Sequence, residues 1–184
     1  MIETARLKLV PATPEHVRAA LCGSRTLGEA LAARVPDSWP PEYLDGDAYR
    51  YTLERLGDGC EQQGWWLYFV LLGKEHAASL LIGSAGYKGP PTEDGTVEIG
   101  YGIVFDQRRR GYATEVTHGL LQNAFAHAAV QRAIGETLPE LTASIGVLEK
   151  CGFRRVEEGS ETGILRFALA RRDWANAHGA AGAL

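Results

Sequence analysis

The sequence predicts an α+β domain, mixed α/β in character, in which helices lie against a mixed sheet. Three observations support this. Apolar residues alternate at Val97, Ile99, Tyr101 and Ile103 and then recur at helical spacing at Ala113, Val116, Leu120 and Ala124, so the period changes from two to about 3.6 within one segment. Two apolar runs, 65–72 and 79–87, are separated by a polar turn and read as an antiparallel hairpin. The complete element order is strand, helices, three antiparallel strands, helix, strand, helix, strand, strand.

In chain order, Arg6 to Val10 alternates and stops at Pro11, as an opening strand does where a proline ends pairing. Thr13 can cap the next helix, Pro14 suits its first position and Glu15 favours its positive end, so a helix is expected to about Ala20. A second helix is expected over 24–34, followed by a loop broken by Pro36, Pro40 and Pro41 around Trp39, which serves either as a packed lid or as a substrate wall. Asp47 to Gln63 is helical in pattern, with Tyr51, Leu53, Leu56 and Cys60 among its apolar positions. After the hairpin, a turn over Gly89 to Gly95 leads into the strand Thr96–Val104 and a helix from Arg110 to about His127. A short strand over 132–137 follows. A helix over about Glu140 to Lys150 comes next, with Gly152 as its C-terminal cap. Strands over Phe153–Glu157 and about Gly163–Ala170 precede an Ala/Gly tail, residues 175–184, expected to be mobile.

The chain has 184 residues, 45% hydrophobic and 23% charged, which fits one soluble domain with a substantial core. A net charge of −4 argues against a general nucleic-acid surface. No stretch reaches the ~18 apolar residues of a membrane span. Residues 1–6 do not look like a secretory signal, so a cytoplasmic location is expected. Cys22, Cys60 and Cys151 show no metal-type spacing and read as structural or incidental thiols. His16, His76, His118, His127 and His178 form no metal or nucleophile pattern, and no metal is expected. Gly73-Lys74 lacks the glycine spacing and Ser/Thr of a phosphate loop.

The chemistry concentrates between the strand at 96–104 and the helix that follows. Asp106-Gln107-Arg108-Arg109-Arg110-Gly111 joins them, and Gly111 lets backbone approach a ligand closely. A helix N-terminus offers unpaired N–H donors and about half a positive charge, so this Arg-rich turn suits a pyrophosphate. A nucleotide-bearing cofactor is the reading that follows; a solvated basic turn is the alternative.

Arg108-Arg109-Arg110-Gly111-Tyr112-Ala113 matches the R/Q-x-x-G-x-G/A signature of the GNAT N-acetyltransferases. Glu98-Ile99-Gly100-Tyr101 before it and the stretch from Ser144 to Phe153 after it resemble the branch that includes the ribosomal-protein N-acetyltransferases, as does Thr4-Ala5-Arg6-Leu7-Lys8-Leu9. The resemblance spans about residues 2–174. It implies one acetyltransferase domain over 1–174, of three-layer α/β/α form, with a splayed, mostly antiparallel sheet of six to seven strands. It also implies acetyl-CoA as co-substrate, a primary amine as acceptor, and direct transfer without an acyl-enzyme. By this resemblance Arg108, Arg109, Arg110, Gly111, Tyr112, Ala113 and Thr114 would bind the pyrophosphate, and the backbone of Ile103 would contact the pantetheine arm and stabilise the oxyanion. Glu98 and Glu136 flank the expected gap and are the candidate general bases, Glu98 ranked first, because an alkylammonium of pKa ~10 must lose a proton before it attacks. Ser144 matches the family serine that assists the departing thiolate and touches the cofactor.

Two departures stand out: Leu141 replaces the family asparagine, and Leu148 stands where many relatives have a tyrosine. Losing one hydrogen bond costs about 0.5–1.5 kcal/mol, which weakens cofactor binding without abolishing it. The acceptor, a protein N-terminus or a small-molecule amine, would meet residues 14–63, for which no chemical code exists. A non-catalytic acyl-CoA-binding sensor or interaction module on the same fold is the competing reading, with Leu141 as its support. A two-fold homodimer through the sheet or C-terminal strands is a further expectation.

Overall fold

The computed structural model describes residues 1–57, 64–73, 79–156 and 159–178. The expected helix end at 58–63 with Cys60, the residues Lys74, His76 and Glu157, and the tail from 179 onward lie outside them. Strands β1 (Ile2–Glu3), β2 (Leu7–Pro11), β3 (Leu67–Leu72), β4 (Leu80–Tyr87), β5 (Thr96–Ile103), β6 (Arg132–Thr137), β7 (Arg154–Val156) and β8 (Leu165–Ala170) form one sheet in the order β1-β2-β3-β4-β5-β6-β8-β7. Every adjacent pair is antiparallel except β5 and β6, which run parallel. The eight strands exceed the six to seven expected, partly because the two-residue β1 is too short to show a period.

Helices α1 (Pro14–Cys22), α2 (Ser24–Leu31) and α3 (Gly46–Gly57) cover one face; α4 (Tyr112–Ala126) and α5 (Thr142–Lys150) cover the other, giving three layers. Strand β3 shows why the central strands read as unbroken apolar runs. Tyr68 and Val70 join the cluster under α4, whereas Phe69 and Leu71 join the cluster under α1–α3. Both faces are buried, so polar alternation is lost. Phe69 and Leu81 are fully buried, each contributing roughly 1.5–3 kcal/mol by area removed from water.

Helix α1 begins at the expected cap. Thr13 Oγ1 accepts from the His16 amide at 3.2 Å, and His16 Nδ1 accepts from the Thr13 amide at 3.3 Å, a reciprocal box in which histidine replaces the usual Glu or Gln. Burial lowers the His16 pKa, which favours the neutral ring this acceptor role requires. Helix α2 stops at Leu31, short of the expected 34, because Ala32 turns left-handed at φ 48° and Arg34 bridges to Leu80 instead. At the other end of the chain, α6 (Arg171–His178) occupies residues expected to be tail from 175. Trp174 stacks on His178 with centroids 3.7 Å apart and lies 5.8 Å from Phe125, so an aromatic contact holds this helix against α4.

Candidate active site

The ladder of β5 determines which of its amides are available. Lys88 N donates to Glu98 O at 2.9 Å, and Val104 N donates to Ile82 O at 2.9 Å. Alternation along an antiparallel ladder therefore turns the backbone of Glu98, Gly100, Gly102 and Val104 toward β4, and that of Ile99, Tyr101 and Ile103 toward β6. Pairing with β6 stops at Ile99–Gly135, while β5 runs on to Ile103. The edge of Tyr101 and Ile103 thus faces a gap with no strand partner among the described residues. Arg108 Nε donates to the Ile103 carbonyl at 3.0 Å, leaving the Ile103 N–H as the donor at the mouth.

Beyond β5 comes a single 3-10 turn, Phe105–Gln107, then Arg109 at φ 62° and Gly111 at φ 80° before α4 starts. Glycine carries that left-handed angle without the penalty a Cβ would bring. The first helical hydrogen bond runs from Glu115 N to Gly111 O at 3.1 Å, so the amides of Tyr112, Ala113 and Thr114 donate to nothing among the described residues. Arg109 and Arg110 are exposed and form no ion pair among the described residues, whereas Arg108 is engaged by both backbone and side chain.

A brace formed far away in sequence holds this turn. The Thr4 hydroxyl donates to Glu115 Oε1 at 2.6 Å, the Arg6 amide to the same oxygen at 2.7 Å, and Arg6 Nε to Oε2 at 2.7 Å. The Arg6 guanidinium also donates to Arg110 O at 3.1 Å and lies 4.5 Å from the Tyr112 ring centroid. Burial opposes ionisation of Glu115, but the hydrogen bonds from Thr4 and Arg6 outweigh it and hold the carboxyl below its usual range. Thr4 and Arg6 enter the resemblance by sequence alone; this contact supplies their physical role.

The two candidate bases share one sheet face by alternation, yet their surroundings differ. Glu98 is ion-paired with Lys88 and its side chain is 20% exposed. Glu136 is 6% exposed and saturated: Oε1 accepts from Ser160 N at 2.8 Å and Arg166 Nε at 2.7 Å, and Oε2 accepts from Ser160 Oγ at 2.6 Å. Burial again works against ionisation, and these partners overcome it and lower the Glu136 pKa. Above the same face lies the proline loop. A Cβ on Gly102 would stand 3.2 Å from Pro41 Cβ, while Gly100 has open space above it. The loop is packed down, since Trp39 lies against Phe69 with centroids 6.1 Å apart while Pro41 roofs the end of β5.

On the opposite face, Tyr101 reaches α5. Its hydroxyl lies 3.3 Å from Ser144 O and 3.4 Å from Ser144 Oγ, and burial pushes its pKa up to about 12. In sequence Tyr101 stands as a strand residue and as part of the Glu98–Tyr101 stretch that carries the resemblance, with no site role; the signal for one is a lone hydroxyl on an otherwise aliphatic strand face. Leu141 precedes α5 with no side-chain cap, and Leu148 is core, its Cδ2 2.9 Å from where a Gly135 Cβ would be. Thr137, at the end of β6 past the last pairing with β5, is 7% exposed and its hydroxyl has no partner among the described residues. Cys151 is buried, its thiol pushed up to about 11 by burial, with Sγ 3.8 Å from Thr114 O.

The donor set suits an extended arm ending in phosphates: open strand-edge amides, an orphan hydroxyl, free helix-start amides and two free arginines. No group of three His, Cys, Asp or Glu residues is placed to hold a metal among the described residues, and none of the helices searched there is long and apolar enough to cross a membrane.

Comparison with known proteins agrees with this geometry. The family model described as an acetyltransferase (GNAT) domain matches residues 6–154. The uncharacterized N-acetyltransferase YjdG of Bacillus subtilis (strain 168) is 25% identical over 154 residues, covering 83% of this chain and 89% of its own. An acetyltransferase of the GNAT family from Bacillus anthracis superposes with a TM-score of 0.61 at 21% identity, covering 93% of this chain and 98% of its own. RimL, a ribosomal alpha-N-protein acetyltransferase solved with coenzyme A, gives a TM-score of 0.62 at 16% identity, covering 91% and 95% respectively. At these identities the structural likenesses establish the fold.

Proposed function

The chain belongs to the GNAT acetyltransferase family and is an acetyl-CoA-dependent acetyltransferase, and we propose that it passes the acetyl group directly to a primary amine within a ternary complex. The acceptor is a protein N-terminus or a small-molecule amine. One observation carries the reading: the unpaired edge of β5 leads straight into a braced turn with free amides and free arginines.

In this proposal the amides from Gly111 to Thr114, with Arg109 and Arg110, hold the pyrophosphate. The Tyr101–Ile103 edge and the Thr137 hydroxyl hold the pantetheine arm. Bound acetyl-CoA supplies the thioester. The Ile103 N–H faces the carbonyl oxygen where negative charge develops, a type of contact worth several kcal/mol in the transition state. Glu98 takes the proton from the incoming ammonium, directly or through a water. Glu136 is ranked behind Glu98 as base because Ser160 and Arg166 already occupy both its oxygens and lower its pKa, which makes it a weaker proton acceptor. Ser144, oriented by Tyr101, donates toward the departing thiolate. Direct transfer is supported by Cys151, which is buried with its pKa raised by burial and so is a poor candidate to carry a covalent acyl group.

Leu141, which leaves α5 without a side-chain cap, favours the second reading of a binding module without turnover. Calorimetric titration with acetyl-CoA and CoA, alongside Gly111→Asp, tests the shared premise. Saturable binding lost in the variant supports the site; no binding by the parent protein sinks both readings. Thiol release with a panel of amines then separates enzyme from sensor.

A further inference from the structure

The first arginine of the turn is built into the protein differently from the other two. Arg108 N donates to Phe105 O at 3.2 Å, Arg108 Nε to Ile103 O at 3.0 Å, and its terminal nitrogen pairs with Glu42 Oε2 at 3.1 Å. Its guanidinium carbon lies 5.8 Å from the Phe105 ring centroid. Glu42 belongs to the loop between α2 and α3, directly after Pro41, the residue that roofs Gly102. One side chain therefore spans from the last carbonyl of β5 to the loop above the opposite face of that strand.

We propose that Arg108 is a positioning strut and not a phosphate ligand: it clamps the 36–45 loop over the acceptor side and fixes the Ile103 peptide at the thioester end. Pyrophosphate recognition is left to Arg109, Arg110 and the helix-start amides. The geometry of arginine makes this specific. A planar fork donates along two fixed directions from separate nitrogens, to a neutral carbonyl through Nε and to a carboxylate through a terminal nitrogen; a lysine ammonium carries its three donors on one nitrogen and does not reproduce that span. The Ile103 carbonyl also gains a donor at the gap mouth, where it would otherwise lie beside the developing oxyanion. The division of labour rests on the acetyltransferase reading above, but the clamp itself is testable without acetyl-CoA.

The Leu44 amide, which donates to Pro41 O at 3.2 Å, reports loop closure. Hydrogen exchange read by NMR on the free protein compares the parent with Glu42→Gln, Arg108→Ala, Arg108→Lys and the Glu42→Gln/Arg108→Ala double variant. The Leu44 amide is expected to exchange twofold to fivefold faster in both alanine- and glutamine-type single variants, the range a part-exposed ion pair supplies. The double variant is expected to match Arg108→Ala, and Arg108→Lys to recover part of the protection. Core amides of β4 should be unmoved, which separates loss of the clamp from general destabilisation. Titration with CoA should give the same dissociation constant for Glu42→Gln as for the parent within twofold. Unchanged Leu44 exchange in both single variants, or additive effects in the double, overturns the strut. A tenfold loss of CoA affinity in Arg108→Ala with Leu44 unmoved makes Arg108 a phosphate ligand instead. Failure of the parent to bind CoA would instead defeat the acetyltransferase reading and leave the exchange result standing by itself.

Discussion

Replacing Glu115 by Gln tests whether the turn before α4, the proposed phosphate site, is held by the brace from Thr4 and Arg6. The carboxylate accepts from the Thr4 hydroxyl, the Arg6 amide and Arg6 Nε, and its side chain is 15% exposed against 47% for Arg6. Glutamine is isosteric, so no cavity forms. It keeps one oxygen for Thr4 and the Arg6 amide but presents an NH2 to a guanidinium that can only donate. Hydrogen bonds to a charged acceptor are worth about 1.5–3 kcal/mol against 0.5–1.5 for neutral ones. Discounting the half-exposed Arg6 contact leaves a loss of about 2 kcal/mol. For a domain of this size that lowers the melting midpoint by ~4–8 °C. The pH dependence follows from the sign of the shift. The folded-state pKa of Glu115 is depressed, so its contribution is complete above the ordinary glutamate value of about 4.3 and is lost as pH falls through the lower folded value. Thermal melts from pH 7 down to pH 3 should show a constant gap near neutrality that narrows in acid as the parent protonates. A variant melting within 1 °C of the parent at pH 7, or a gap that stays constant into acid, would refute the brace. The same variant should bind acetyl-CoA several-fold more weakly, because Arg6 also holds the Arg110 carbonyl.

Glu98→Gln should lower turnover by 10²–10⁴, the range for a general base, with a melting midpoint within 2 °C of the parent; Glu136→Gln should do the reverse, melting early through loss of Ser160 and Arg166 while retaining most turnover. Steady-state thiol release and thermal melts separate the two. Ser144→Ala and Tyr101→Phe should each slow thiol release at least tenfold, and the double variant should be no slower than the worse single, since the two hydroxyls act as one unit. Because the Tyr101 hydroxyl titrates only at about 12, the Tyr101→Phe loss should be flat between pH 6 and 9. Gly100→Val should fold normally, its Cβ meeting nothing, yet raise the Michaelis constant of any amine found to react, because its side chain fills the space beside Glu98.

Local signals were legible in the sequence wherever one segment determines its own shape. The strand-to-helix change at 96–125, the turn through Gly111 and the Gly152 cap all depend on neighbours a few residues away. Thr13 was readable as a cap, but its partner was not, since His16 is not a usual capping-box residue. Contacts between distant residues left no trace in periodicity. The Arg6–Glu115, Tyr101–Ser144 and Glu136–Ser160 pairs depend on strand register and on how far β6 diverges from β5, which residue spacing does not encode. Helix α6 was hidden for a related reason. Its polar composition looks like tail, and it is placed by contacts distant in sequence: Trp174 and His178 against Phe125 and His118 of α4, and Arg171 donating to the carbonyls of Phe125, His127 and Val130.

The same distinction explains why the sequence offers a reading of the donor side and none of the acceptor side. In the proposed reaction most of the donor side, the Tyr101–Ile103 edge and the turn from Arg109 to Thr114, comes from the continuous stretch 99–114, so those elements follow one another in the chain, and only Thr137 and Ser144 join from elsewhere. The proposed acceptor side would be assembled from pieces that never adjoin in sequence: Glu98 with Lys88, the open surface above Gly100, and a roof of Pro41 next to Glu42, which pairs with Arg108. Two glycines on that face have opposite reasons to be there. Gly102 makes room for protein, because a Cβ would press against Pro41, whereas Gly100 faces nothing in the protein. A glycine whose Cβ would meet no protein atom, one alternation step from the candidate base and one from the roof, marks the place where an amine would approach.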